Sequence, residues 1–190
     1  MKSNTLRKTY LSLSKELQLA SISFYALSIG IGMLFNYFKY SRYGINIFDY
    51  SDLLDFLLIP FSDIRILLAT ALSLLVAYGV YRFDTWWLTK YPEVYSKFNF
   101  GFDRKNWFKL YRKGTFIFIS LLYLGILANL YGALLARNLA KSDFRELVYE
   151  DNQSINIRQI GKTKDVVFAL DRENRVLVLP IANIKVYRIQ

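Results

Sequence analysis

The sequence predicts an all-α membrane bundle: three transmembrane helices, amphipathic or re-entrant surface segments between them, and a small C-terminal β-rich module. Three observations predict it. Apolar runs long enough to cross a bilayer recur three times, each bracketed by Lys, Arg and aromatic residues. Past residue 137 the pattern changes to short β-branched runs separated by turn formers. And 54% of the 190 residues are apolar, above the roughly 45–50% usual in soluble proteins.

The first run, Leu17–Phe38, is about 22 residues long and uncharged, enough for a ~30 Å hydrocarbon core. It follows Lys2, Arg7, Lys8 and Lys15 and leads into Asn36-Tyr37-Phe38-Lys39-Tyr40, an interfacial belt of aromatics and a cation. A signal-peptide core is shorter, about 7–15 residues, and ends at a small-x-small site. The run is therefore expected to be an uncleaved span. The second span covers residues 66–83, between Arg65 and Arg82, with Trp86 and Trp87 just beyond it at headgroup level. The third, residues 114–136, lies between Arg112-Lys113 and Arg137 and is the purest of the three.

Between the first two spans, Ser51–Pro60 reads as a short helix lying on or dipping into the membrane surface. Ser51 is the expected cap, Asp52 and Asp55 sit near its positive end, and Pro60 is expected to stop it. Between spans two and three, residues 84–113 interleave Lys and Arg with aromatics, as suits a segment on an anionic leaflet. In the tail, strands are expected at Leu147–Tyr149, Ile155–Ile160, Val166–Leu170, Val176–Leu179 and Ile184–Ile189. A helical continuation near Arg137–Glu146 precedes them. So short a β segment has a thin core and is expected to curl or close and to lean on the membrane part. The domains are thus residues 1–137, with spans at about 17–38, 66–83 and 114–136, and residues 138–190.

The formal charge of +10 would suit nucleic acid or an anionic surface. Its placement beside the apolar runs makes topology the better explanation, and no nucleic acid is expected. Basic residues dominate the N-terminal arm and the second loop, whereas the first loop is acidic in its middle. Positive-inside logic then gives a multi-pass protein, of bacterial inner-membrane type, with its N-terminus cytoplasmic and its C-terminal module outside.

The sequence has neither Cys nor His, so thiolate chemistry, disulfides and imidazole catalysis are out of reach. No constellation of nucleophile, base and oxyanion donors is visible, and no enzyme, cofactor or metal is expected. Asp49, Asp52 and Asp55 recur at every third position, which fits a hard cation less well than a solvated face. Small residues recur at every fourth position of the spans: Ser28 and Gly32, then Ala69, Ser73 and Ala77, then Ala128, Gly132 and Ala136. Such stripes let helices approach closely, within one chain or between copies.

The expected function is that of a non-enzymatic membrane subunit that oligomerises or anchors a second protein, a scaffold or sensor of a membrane complex. Its partners would be the lipid bilayer, copies of itself and a second protein subunit. The packing residues would be Gly32, Ala69, Ser73, Ala77, Gly132 and Ala136. Trp86, Trp87, Trp107, Arg112 and Lys113 would meet the membrane interface or a partner. The alternative is an oligomeric ion-conducting pore or membrane-disrupting effector gated by the soluble module, with Thr70, Ser73 and Asn129 lining it.

Overall fold

The computed structural model describes residues 2–149 and 153–187, with side chains described from residue 13 to residue 185 within that range. The end of the last expected strand at 188–189 and the side chains of Lys2, Arg7 and Lys8 lie outside it.

Five helices precede five strands: α1 (Lys2–Tyr40), α2 (Leu53–Ser62), α3 (Ile64–Lys90), α4 (Pro92–Phe98), α5 (Phe108–Lys141), β1 (Arg145–Tyr149), β2 (Ser154–Lys162), β3 (Val166–Leu170), β4 (Val176–Pro180) and β5 (Ile184–Tyr187). Helices α1, α3 and α5 have 39, 27 and 34 residues. At ~1.5 Å per residue each exceeds a ~30 Å hydrocarbon core. Three helices are therefore long and apolar enough to cross a membrane: α1 from Leu13, α3 and α5.

The chain groups into two compact units, residues 1–62 with 131–190, and residues 63–130. In the first unit α2 folds back along α1. Gly44, with φ of 71°, allows the reversal that other residues resist. The Phe48 ring stacks on Tyr37, and lower down Phe61 lies 6.0 Å from Phe24. Helix α2 thus descends beside the first span. Its outward residues Leu53, Leu54, Leu58 and Phe61 are also apolar and exposed, whereas Asp55 and Ser62 mark a polar side.

Two details of α2 correct the sequence reading. Ser51 does not cap it, because its hydroxyl is buried without a hydrogen-bond partner. Asp52 occupies the cap position instead: its carbonyl accepts from Phe56 N–H, and its own N–H donates to Asp55 Oδ2 at 3.2 Å, the return half of a capping box. Pro60 does not end the helix either; α2 continues to Ser62. Pro removes one intrahelical donor near the end of α2, where the ladder has few bonds left to lose.

The strands form one antiparallel sheet in the order β4-β3-β2-β1-β5. Helix α5 stops at Lys141, and residues 145–146 are already strand, so the expected helical continuation is shorter than its composition suggested. Register shifts fall between Val148 and Tyr149 and between Gln159 and Gly161, and such bulges bend strands. One sheet face, through Ile160, Phe168 and Leu170, packs on Tyr40, Ile45, Ile47 and Phe56. The other gathers Leu147, Ile157, Val167, Ala169 and Leu179. Strand β3 is covered on both faces, which explains why it reads as the unbroken apolar run Val-Val-Phe-Ala-Leu. The thin β core is completed by the end of α1 and the loop after it.

The second unit contains α3, α4 and the first part of α5. Tyr81 of α3 meets Phe116 of α5 edge-on at 5.0 Å. Near the end of α3, Trp87 packs against Tyr95 and Phe98 of α4. The Tyr95 ring is buried and its hydroxyl donates to Asp84 at 3.0 Å.

Candidate functional site

A half-open cleft of about 360 Å³ lies in the first unit, between α1, the start and outer face of α2, the turn after β2 and Ile181. Two distant stretches of chain, residues 36–62 and 162–181, build it. Asn36 and Tyr40 are one helical turn apart on α1 and face it together. Ser51 and Asp55 come from the capped start of α2, and Leu58, Ile59 and Ser62 from further along that helix. Lys162, Thr163 and Lys164 come from the β2–β3 connection.

Two polar groups in the cleft are unusual. Asn36 is 6% exposed, and its side chain makes no hydrogen bond among the described residues. The Ser51 hydroxyl is fully buried and likewise unpaired. Buried polar groups nearly always find partners, and an unpaired one costs about 1–3 kcal/mol. The Ser51 hydroxyl is such a group, and with the Asn36 amide beside it on the same cavity it marks a place where a ligand would complete the hydrogen bonding.

Charge in the cleft is divided. Lys164 pairs with Asp52, and this contact holds its ammonium above the usual lysine range. Asp55 accepts only the Asp52 N–H among the described residues, and Lys162 has no acidic partner there. One carboxylate and one ammonium are left to face the cavity. The Thr163 hydroxyl oxygen accepts from the backbone N–H groups of Asp165 and Val166, which fixes the turn that carries the lysines. Gly161 makes room for this arrangement: a Cβ there would collide with the Tyr40 hydroxyl.

The residues singled out by sequence fall into several environments. Gly32 is buried where α2 crosses, and a Cβ there would strike the Phe56 carbonyl oxygen. Gly132 stands against the Phe38 carbonyl near the end of α1. Both are spent on packing inside the chain. Ser73 and Ala77 are buried, while Ala69 and Ala136 are half-buried. The Thr70 hydroxyl donates to Ile66 O and the Ser73 hydroxyl to Thr70 O, each at 2.8 Å, so both hydroxyls turn back onto their own helix. Asn129 is exposed. The cleft uses none of these.

Arg112 pairs with Asp84 at 2.5 Å and donates to the Thr85 hydroxyl at 3.2 Å, which commits its guanidinium inside the second unit. Trp87 is enclosed by Tyr95 and Phe98. Trp86 and Trp107 are about half exposed, and the Lys90 ammonium lies over the Trp86 ring. Lys113 is exposed. Asp49 accepts from the Asn46 amide at 2.9 Å, so the three recurring aspartates have three separate duties. Among the described residues no group of three or more acidic side chains could hold a metal.

In the sequence Asn36, Asp52 and Asp55 stand out singly, and Ser51 only as a cap. No signal within any one stretch joins them, since the cleft exists only once β2 is laid against α1. No family model, curated protein or solved structure matches the chain.

Proposed function

We propose that the protein is a non-enzymatic integral membrane subunit that assembles with copies of itself or anchors a second protein. The observation that carries this reading is the outward surface of the three long helices. Only 11–17% of each candidate span is buried, and large apolar side chains such as Leu68, Leu72, Leu75, Ile117, Phe118 and Leu121 stand exposed. Lipid covers part of such a surface. A chain with so little helix–helix contact gains stability and specificity from partner helices.

Gly32 and Gly132 already serve within the chain, so assembly runs through the larger apolar faces of α3 and α5. The orientation that follows from charge has the N-terminus and second loop cytoplasmic and the sheet outside. The neighbouring C-terminal ends of α1 and α5, joined at Phe38 and Gly132, support a sheet on the same side as the first loop.

The test is the mass of the gently solubilised complex with identification of its components. A defined multiple of 22.3 kDa, or a second protein in fixed ratio, is expected; a bare monomer in several mild detergents would contradict it. Liposome ion flux separates this reading from a pore, since a scaffold gives none.

A further inference from the structure

We propose that the cleft between α1, α2 and the β2–β3 turn binds a zwitterionic phospholipid headgroup carrying a primary ammonium, of the phosphoethanolamine type. The argument rests on the membrane reading of the chain and on four properties of the cleft.

Its polar wall is incomplete: the Ser51 hydroxyl is buried and unpaired, and the amide of the largely buried Asn36 lines the cleft. An anionic phosphate accepts readily from both. Its charges are one of each sign, Lys162 and Asp55, once Lys164 is matched by Asp52. A phosphate toward Lys162 and an ammonium toward Asp55 satisfy both, whereas a simple anion would meet Asp55 and a simple cation would meet Lys162. Its volume, about 360 Å³, lies in the range of small-ligand sites, which starts at roughly 300 Å³. And its floor is amphipathic. Leu58 and Ile59 line it, and the exposed apolar face of α2, with Leu54, Leu58 and Phe61, runs from it alongside α1. A headgroup in the cleft can therefore lay an acyl chain along α2 without leaving an apolar surface. A soluble ligand would use the polar wall and leave that track empty.

The primary ammonium is part of the inference. It can donate hydrogen bonds to Asp55, and the quaternary ammonium of a choline lipid cannot. A glycerol headgroup brings an anion with no cation for Asp55.

The experiment is native mass spectrometry of the full chain from nanodiscs containing equal parts of phosphatidylethanolamine, phosphatidylcholine and phosphatidylglycerol. Incorporation into the discs reports on the membrane reading, and the lipid retained after detergent exchange reports on the cleft. We expect one retained phosphatidylethanolamine per chain, favoured about tenfold over the other two. Lys162→Gln and Ser51→Ala should each reduce that retention, and Asp55→Asn should abolish the preference over the choline lipid. Ser51→Ala is the decisive variant: the hydroxyl makes no bond within the protein, so the thermal stability of the lipid-free chain should not fall. Equal retention of the three lipids, or retention indifferent to all three variants, would overturn the proposal. So would free O-phosphoethanolamine binding as well as the lipid does.

Discussion

The carbonyl oxygen of Phe56 points at the Cα of Gly32 so closely that no side chain could stand between them. Both ends of this contact are written in the sequence. Pro60 lies four residues after Phe56 inside α2 and has no N–H to offer that carbonyl. Gly32 supplies a helix surface with no Cβ, so the backbones meet directly. Close backbone approach is the main way helices associate in lipid. Here it fixes α2 along the first span and so forms one wall of the cleft.

Gly32→Leu should therefore unseat α2. The obstacle is backbone rather than a flexible side chain, so overpacking of roughly 1–3 kcal/mol or more is expected. Gly30, two residues earlier, has nothing within 4 Å of an added Cβ. Gly30→Ala should be neutral or stabilise by up to about 1 kcal/mol through helix propensity. Thermal unfolding in one detergent compares the two; equal effects would remove the contact from the account.

The second unit holds a polar cluster in an aromatic setting. Burial first, then the hydrogen bond to Asp84, pushes the Tyr95 hydroxyl up to about 12. The folded state thus holds this proton more tightly than the unfolded chain, whose tyrosines titrate near ~10. The associated stability is present below about pH 10 and lost as pH rises towards 12. Trp87 stands 5.6 Å from Tyr95, so tryptophan fluorescence can follow the transition. Tyr95→Phe should flatten the alkaline limb. Arg112→Gln leaves Asp84 half-buried without its cation and should cost about 2 kcal/mol at neutral pH.

The β3–β4 turn responds in the opposite direction. The Asp171 carboxylate accepts from Arg175 Nε at 2.7 Å and from the N–H groups of Glu173 and Arg175 at 2.9 and 2.8 Å. The Arg175 side chain, first among these, holds its carboxyl below the usual carboxylate range. Its contribution is present above the ordinary value of ~3.9 and lost as pH falls through the lowered folded value. Hydrogen exchange at Leu170 and Val176, corrected for the intrinsic pH dependence of amide exchange, should speed up on acidification. In Asp171→Asn that acceleration should be weaker, and an unchanged profile would rule the turn out as the acid-sensitive point.

Much of this architecture was legible from local pattern. A span announces itself by an uncharged apolar run between cations and aromatics, because the bilayer tolerates little else. Strand β3 announces itself by five consecutive apolar residues. What stayed hidden depends on distant partners. Ser51 and Asp52 are both good caps, and only the Asp55 carboxylate three residues past Asp52 decides between them. Arg112 resembles an interfacial cation until Asp84, 28 positions earlier in the sequence, is found beside it. Gly132 looks like an assembly stripe until Phe38 is seen to fill it. The cleft draws on residues 36–62 and 162–181, and no periodicity links those stretches.

The topology we propose is a three-span chain with the second loop and the sheet on opposite sides of the membrane. The chain has no Cys, so single cysteines can be labelled without background. Phe100 and Glu173 are 87% and 70% exposed (the latter for its side chain). In intact cells a membrane-impermeant maleimide should label Glu173→Cys, and should label Phe100→Cys only after lysis. Labelling of both in intact cells, or of neither before lysis, would contradict the three-span account.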